Sequence, residues 1–457
     1  MHTLVLRDIG ELLTLTGPDA LAAARGPNAR PDARTDARPD ARPDARPDAK
    51  AAAAAAEAAL GVVRDATVVL VAGRVHYAGP AADAPPVREL PGEVRVCSVG
   101  GRLVSPGLVD AHTHLLFAGE RSREFDLRNL GAGYAELQQA GGGILSTVRA
   151  TAAASDETLG ELLQARLRRA LALGTTLCEV KTGYGLQPAA ELRLLALLTR
   201  AAQSAAQLRL PMVSPTLLCH VPPRELGGPE TPARRQLVHE LAAAAGPAAA
   251  SGAQALDVYC DEGAFTLAET EQLLRAGRAA GLLLRCHAEQ FTYTGVAERA
   301  AELGAASVEH LEQIDEAGVR ALAAAGVVAN LLPGAALTLR LPWPDARRLV
   351  RAGVAVALAS DCNPGTSYSE SLPLMMTLGC TQLGLSCAEA WLGVTRYAAR
   401  ALRKDAGRLA VGSPGDLVVW DAEHYRQLCQ HMGVPLAAAV YRDGAFAAGS
   451  DPALSVA

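Results

Sequence analysis

Short apolar runs recur through the middle of the chain and end at His114, Lys181, His220, Asp261, His287, His310, Leu332 and Asp361. Between most of them lie Ala/Leu/Arg-rich stretches whose apolar residues return with the period of a helix, as in 157–173, 190–206 and 267–281. Apolar runs that alternate with amphipathic segments read as strand–helix units. Eight such units in succession predict an α/β fold built on a TIM-like (β/α)8 barrel. Reactive groups in such barrels sit at the C-terminal strand ends. That is where the histidines, Lys181 and the two aspartates fall.

The flanks carry a different pattern. Val68–Val71 and Arg74–Tyr77 surround Ala72-Gly73, a hairpin signal. Leu4-Val5-Leu6, Val94-Arg95-Val96, Gly415–Trp420 and Ala439–Gly444 also read as strands, the last two with turns. Both termini are therefore expected to build one small β-sandwich-like domain. The expected division is 1–105 and 401–457 for the small domain and 106–400 for the barrel. Residues 27–50 repeat Ala-Arg-Pro-Asp. Proline at that spacing breaks helix and ladder alike, and nothing apolar is there to bury, so an extended or disordered insertion is expected. A short helix over 51–60 follows it.

Composition narrows the function. The chain has 457 residues and a net charge of −5, with acidic and basic residues interspersed. No basic stripe points to nucleic acid and no polybasic run to a membrane surface. No long charge-free apolar stretch suggests a membrane span, and the first residues lack a basic region followed by an apolar run. The nine cysteines are scattered with no CxxC pair, which reads as reduced, mostly buried thiols of a cytoplasmic protein.

The candidate chemistry starts at Pro106–His114, an apolar run that ends His112-Thr113-His114. Positions two apart on a strand share a face, so both imidazoles aim at one point. Two neutral imidazoles suit zinc, nickel or iron; a surface pair is the competing reading. His287 ends the fifth strand, where a core histidine competes, and Asp361 ends the eighth, where a helix cap competes. Together the four offer three nitrogens and one oxygen to a metal, with room for water. His310 is the candidate for polarising a carbonyl or moving a proton. His220 is a candidate substrate contact, or a loop histidine.

The stretches Pro106–Leu115, Gly141–Arg149, Glu179–Leu186, His287–Gln290 and Ser360–Ser367 together resemble the amidohydrolase superfamily of metal-dependent hydrolases. The resemblance runs from about residue 60 to 445. It implies one zinc or iron ion held by His112, His114, His287 and Asp361, and a homodimer. It implies hydrolysis of 4-imidazolone-5-propanoate to N-formimidoyl-L-glutamate. By position it implies substrate contacts from Arg121, Tyr134, Tyr184, His220, Gln290, Asn363, Gly365 and Thr366. An arginine fork with tyrosine hydroxyls suits the propionate. Some members carry glutamate at the position of Gln290, which cannot take a proton. Asp361 is therefore expected to accept the proton of water while His310 steadies the oxyanion. Lys181 is expected in a salt bridge rather than bridging two metals. The rival readings are another amidohydrolase, either a ring deaminase or a hydantoinase-type cyclic amidase, and a barrel without catalysis.

Overall fold

The structure, a computed structural model, describes residues 2–18, 49–131 and 142–450. The Ala-Arg-Pro-Asp repeats and Tyr134 lie outside the described residues.

The first strands belong to the terminal sheet: β1 (His2–Leu13), β2 (Val62–Val71), β3 (Arg74–Pro80), β4 (Glu93–Ser98) and β5 (Leu103–Pro106). β2 and β3 form the expected hairpin about Ala72-Gly73. The barrel follows with β6 (Leu108–Asp110), β7 (Thr175–Lys181), β8 (Met212–Cys219), β9 (Ala255–Cys260), β10 (Leu283–Ala288), β11 (Ser307–His310), β12 (Val328–Leu331) and β13 (Val356–Leu358). The chain returns to the terminal sheet with β14 (Leu417–Trp420), β15 (Ala437–Arg442) and β16 (Ala445–Gly449).

The eight barrel strands pair in chain order, every pair parallel. The ring closes just past the formal ends of β6 and β13. There Thr113 bridges Cys362, His114 N donates to Cys362 O at 3.0 Å and Asp361 N donates to His112 O at 3.0 Å. Helices 156–172, 188–204 and 267–279 lie within two residues of the expected bounds. Ser155 and Thr266 cap the first and third, their side-chain oxygens accepting from backbone N–H groups of the first turn.

Strand alternation explains how the barrel carries both a core and a site. On β9, Leu256, Val258 and Cys260 point out into a core shared with Leu273 and Leu274. Asp257 and Tyr259 take the other face. On β10, Leu284 and Cys286 join the same core while Arg285 and His287 alternate with them. Burying each such leucine or valine contributes about 1.5–3 kcal/mol.

The terminal strands form one mixed sheet in the order β16-β15-β14-β5-β1-β2-β3, with β4 added parallel to β1. Gly107 is the pivot between the two sheets. A Cβ there would lie 2.0 Å from Thr176 Oγ1 and 2.4 Å from its Cγ2. Only glycine lets the chain step from β5 to β6 so close to β7.

Candidate active site

Four imidazoles and one carboxylate gather at the C-terminal mouth of the barrel. Asp361 Oδ1 lies 3.5 Å from His112 Nε2 and 3.4 Å from His114 Nε2. The ring centroids of His112 and His287 are 4.6 Å apart, and those of His287 and His310 are 5.4 Å apart. Donor atoms of His112, His114 and Asp361 come within 4.8 Å of one another, as do those of His112, His287 and His310. All five residues are buried.

Two carboxylates absent from the sequence reading orient the rings. His112 Nδ1 is 3.0 Å from Glu309 Oε2, and His287 Nδ1 is 3.0 Å from Asp257 Oδ1. An ionised carboxylate only accepts, so each Nδ1 carries the proton and each Nε2 offers a lone pair. Both Nε2 atoms are buried without a hydrogen-bond partner. A buried polar atom left unpaired costs about 1–3 kcal/mol.

Beneath the rings lies a charged layer where a barrel of this kind ordinarily stacks aliphatic side chains. Lys181 Nζ is 2.6 Å from Asp257 and 2.8 Å from Glu179, the salt bridge expected for it. Glu309 also accepts from Arg285 at 3.0 Å, Ser307 at 2.6 Å and Asn330 at 2.6 Å. Counting formal charges, Lys181 and Arg285 face four carboxylates: Glu179, Asp257, Glu309 and Asp361. The surplus of two negative charges matches a divalent cation.

Burial drives the imidazoles toward neutrality. It takes His112 well below its ordinary value, with the Lys181 charge adding to the effect. It lowers His287 despite the Asp257 charge, and takes His220 down to about 3. His310 goes the other way: burial lowers it, but the negative charge of nearby Glu312 outweighs burial and raises it. Glu312 was not singled out in the sequence; its Oε1 is 3.7 Å from His310 Nδ1. Burial opposes ionisation of Asp361, yet the hydrogen bond and charge of His114 hold it below the carboxylate range.

The backbone here is strained. His310, Leu311, Glu289 and Asp361 have φ of +75°, +72°, +54° and +50°. Non-glycine residues in that region cost of order 1–3 kcal/mol each and cluster where a side chain must be aimed.

The expected substrate contacts fall into two groups. His220 stacks on His114 at 5.6 Å between centroids, and Tyr184 lies 6.0 Å from His220. Gln290 accepts from Tyr259 O–H at 3.0 Å. Tyr259 escaped the sequence reading, although it sits two residues beyond Asp257 on the same strand face. Glu289 points elsewhere: it accepts from Ala297 N at 3.3 Å, at the start of helix 296–302.

Arg121 forms the second group with the 363–366 loop. Its guanidinium grips Glu124 at 2.9 and 2.5 Å and lies against Gly365. Asn363 spends its side chain inside the loop. Its Nδ2 donates to Asp361 O and Thr366 Oγ1, and its Oδ1 accepts from the backbone N–H groups of Gly365 and Thr366. Asn363 thereby fixes the shape of the turn that follows Asp361.

Residues 103–447 match the amidohydrolase family. An imidazolonepropionase of Myxococcus xanthus is 46% identical over 385 residues, covering 84% of this chain and 90% of the relative. One from Caulobacter vibrioides is 43% identical over 388 residues, covering 84% and 94%. Among solved structures, a triazine hydrolase variant superposes with a TM-score of 0.71 at 14% identity, covering 98% of this chain and 95% of that one. An adenosine deaminase from Xanthomonas campestris with bound zinc gives 0.64 at 18% identity, covering 99% and 95%. At such identities these two speak for the fold alone. Among the described residues, no helix is long and apolar enough to cross a membrane.

Proposed function

The chain belongs to the amidohydrolase family and, within it, groups with the imidazolonepropionases; on that premise we propose that it hydrolyses 4-imidazolone-5-propanoate to N-formimidoyl-L-glutamate. The observation that carries the reading is the pair of unpartnered lone pairs, His112 Nε2 and His287 Nε2, beside His114 and Asp361. That donor set fits a divalent ion, and His112, His114, His287 and Asp361 would hold one zinc or iron. The ion supplies Lewis acidity and lowers the pKa of water to about 7.

The chain's own residues do the rest. Asp361 accepts a proton from the attacking water as its oxygen bonds to the ring carbonyl carbon. His310, held beside Glu312, donates a hydrogen bond to the developing oxyanion. The carbon–nitrogen bond of the ring amide then breaks. Asp361 returns the proton to the departing nitrogen, leaving a new carboxylate and a formimidoyl group. Arg121 and Tyr184 take the propionate, with Tyr134 a third contact. Burial raises the Tyr184 phenol, so it stays a donor. His220, Gln290, and the turn of Asn363, Gly365 and Thr366 shape the wall around the ring.

A homodimer is part of the same proposal, and light scattering would test it. The nine free cysteines support a reducing, cytoplasmic compartment.

The activity test follows loss of the absorbance of freshly prepared imidazolonepropionate. Turnover that chelation abolishes and zinc or iron restores supports the reading. Ammonia release from purine or pyrimidine rings, without imidazolonepropionate turnover, overturns it.

A further inference from the structure

Among the described residues, one further set of ligand-type side chains converges apart from the barrel mouth. Cys380, Cys387 and Cys429 come from three helices, Leu372–Thr381, Cys387–Gly393 and Arg426–Gln430. Their Sγ atoms lie within 4.8 Å of one another. In sequence Cys380 and Cys387 are seven positions apart, Cys429 is 42 further on, and the three carry no CxxC spacing. None of the three is disulfide-bonded, and Cys380 and Cys387 are half-exposed while Cys429 is buried. The other six cysteines are buried.

Three thiols from three helices are a ligand set. Metal–sulfur bonds of about 2.3 Å put the sulfurs of a tetrahedral site roughly 3.8 Å apart. Small rotations about the side-chain torsions close the remaining gap. Thiolates are soft donors that select thiophilic ions over magnesium or calcium.

We propose that Cys380, Cys387 and Cys429 form a second metal site, separate from the barrel centre, for a soft thiophilic ion: zinc(II) or copper(I). As each metal–sulfur bond forms, the thiol that supplies it releases its proton to solvent. Arg426, on the helix that carries Cys429 and paired with Glu57 at 3.1 Å, contributes positive charge nearby. The half-exposed side leaves any fourth position to water. The ion ties helix 426–430 to two helices of the barrel's outer layer, and so acts as a staple rather than in catalysis.

The test is a cadmium(II) titration of the reduced, full-length protein with its barrel metal in place, read by thiolate-to-cadmium charge-transfer absorption. A barrel centre of imidazoles and carboxylate gives no such band. The expected result is one saturable step in the wild type. The band should be lost in Cys380→Ser and in Cys387→Ser, with hydrolysis of the ring substrate unchanged in both. That retained activity shows the variants fold. Displacement of cadmium by zinc or by copper(I) supports the site and identifies its ion. A wild-type protein without the band, a band undiminished in both variants, or cadmium displaced by neither ion overturns the proposal.

Discussion

His112 Nδ1 stands 3.0 Å from Glu309 Oε2, and the same carboxylate takes donors from Arg285, Ser307 and Asn330. Glu309 is thus saturated and locked, and it passes that rigidity to the imidazole. Removing its charge loosens the ring and weakens its lone pair. Glu309→Gln should bind the barrel metal about 10–100-fold more weakly while staying folded. Competition with a calibrated chelator measures this, and unchanged affinity would show that Glu309 does not tune the site.

Lys181 is fully buried between Glu179 and Asp257, at 2.8 and 2.6 Å. Lys181→Met leaves both carboxylates without their cation. Breaking one side of a buried ion pair costs about 3–5 kcal/mol. Denaturant unfolding should show a loss of that size. A loss under about 1 kcal/mol would mean that the two carboxylates take up protons at little cost.

Gly365 lies under the Arg121 guanidinium. A Cβ there would sit 2.2 Å from Nη1, and Glu124 holds the arginine in place from its other edge. Gly365→Ala must push the guanidinium aside. If Arg121 grips the propionate, KM rises about tenfold or more with little change in kcat. Steady-state kinetics that show a fall in kcat alone would remove Arg121 from substrate binding.

Asp361→Asn keeps the size of the side chain and removes its ability to take a proton. A lost general base typically costs at least about 100-fold in rate. Metal content and single-turnover rate are to be measured on the same sample. Near-normal turnover with metal retained would assign the base elsewhere.

The histidines and Asp361 were legible because each ends an apolar run, and a strand's alternation then fixes which side chains share a face. Barrel closure was legible for the same reason, since eight such runs recur. Glu309 and Asp257 were not. Asp257 meets His287 through the pairing of β9 with β10, and Glu309 on β11 reaches His112, just past β6, across the barrel interior. From sequence alone, Arg285, Glu179 and Glu309 read as ordinary charged residues, yet all three point into a sealed layer. The internal hydrogen bonds of Asn363 were equally hidden, because they depend on the turn it creates. The convergence of Cys380, Cys387 and Cys429 is purely tertiary.

His112, His114, His287 and Asp361 are proposed to hold one ion at the barrel mouth. Anomalous scattering from crystals of the metal-loaded protein, recorded at the absorption edge of the bound element, locates that ion directly. The expected peak lies within bonding distance of the imidazole nitrogens of His112, His114 and His287 and of Asp361, with His310 left free to face the substrate. A peak bonded to His310 in place of Asp361, or no peak among these residues, would contradict it.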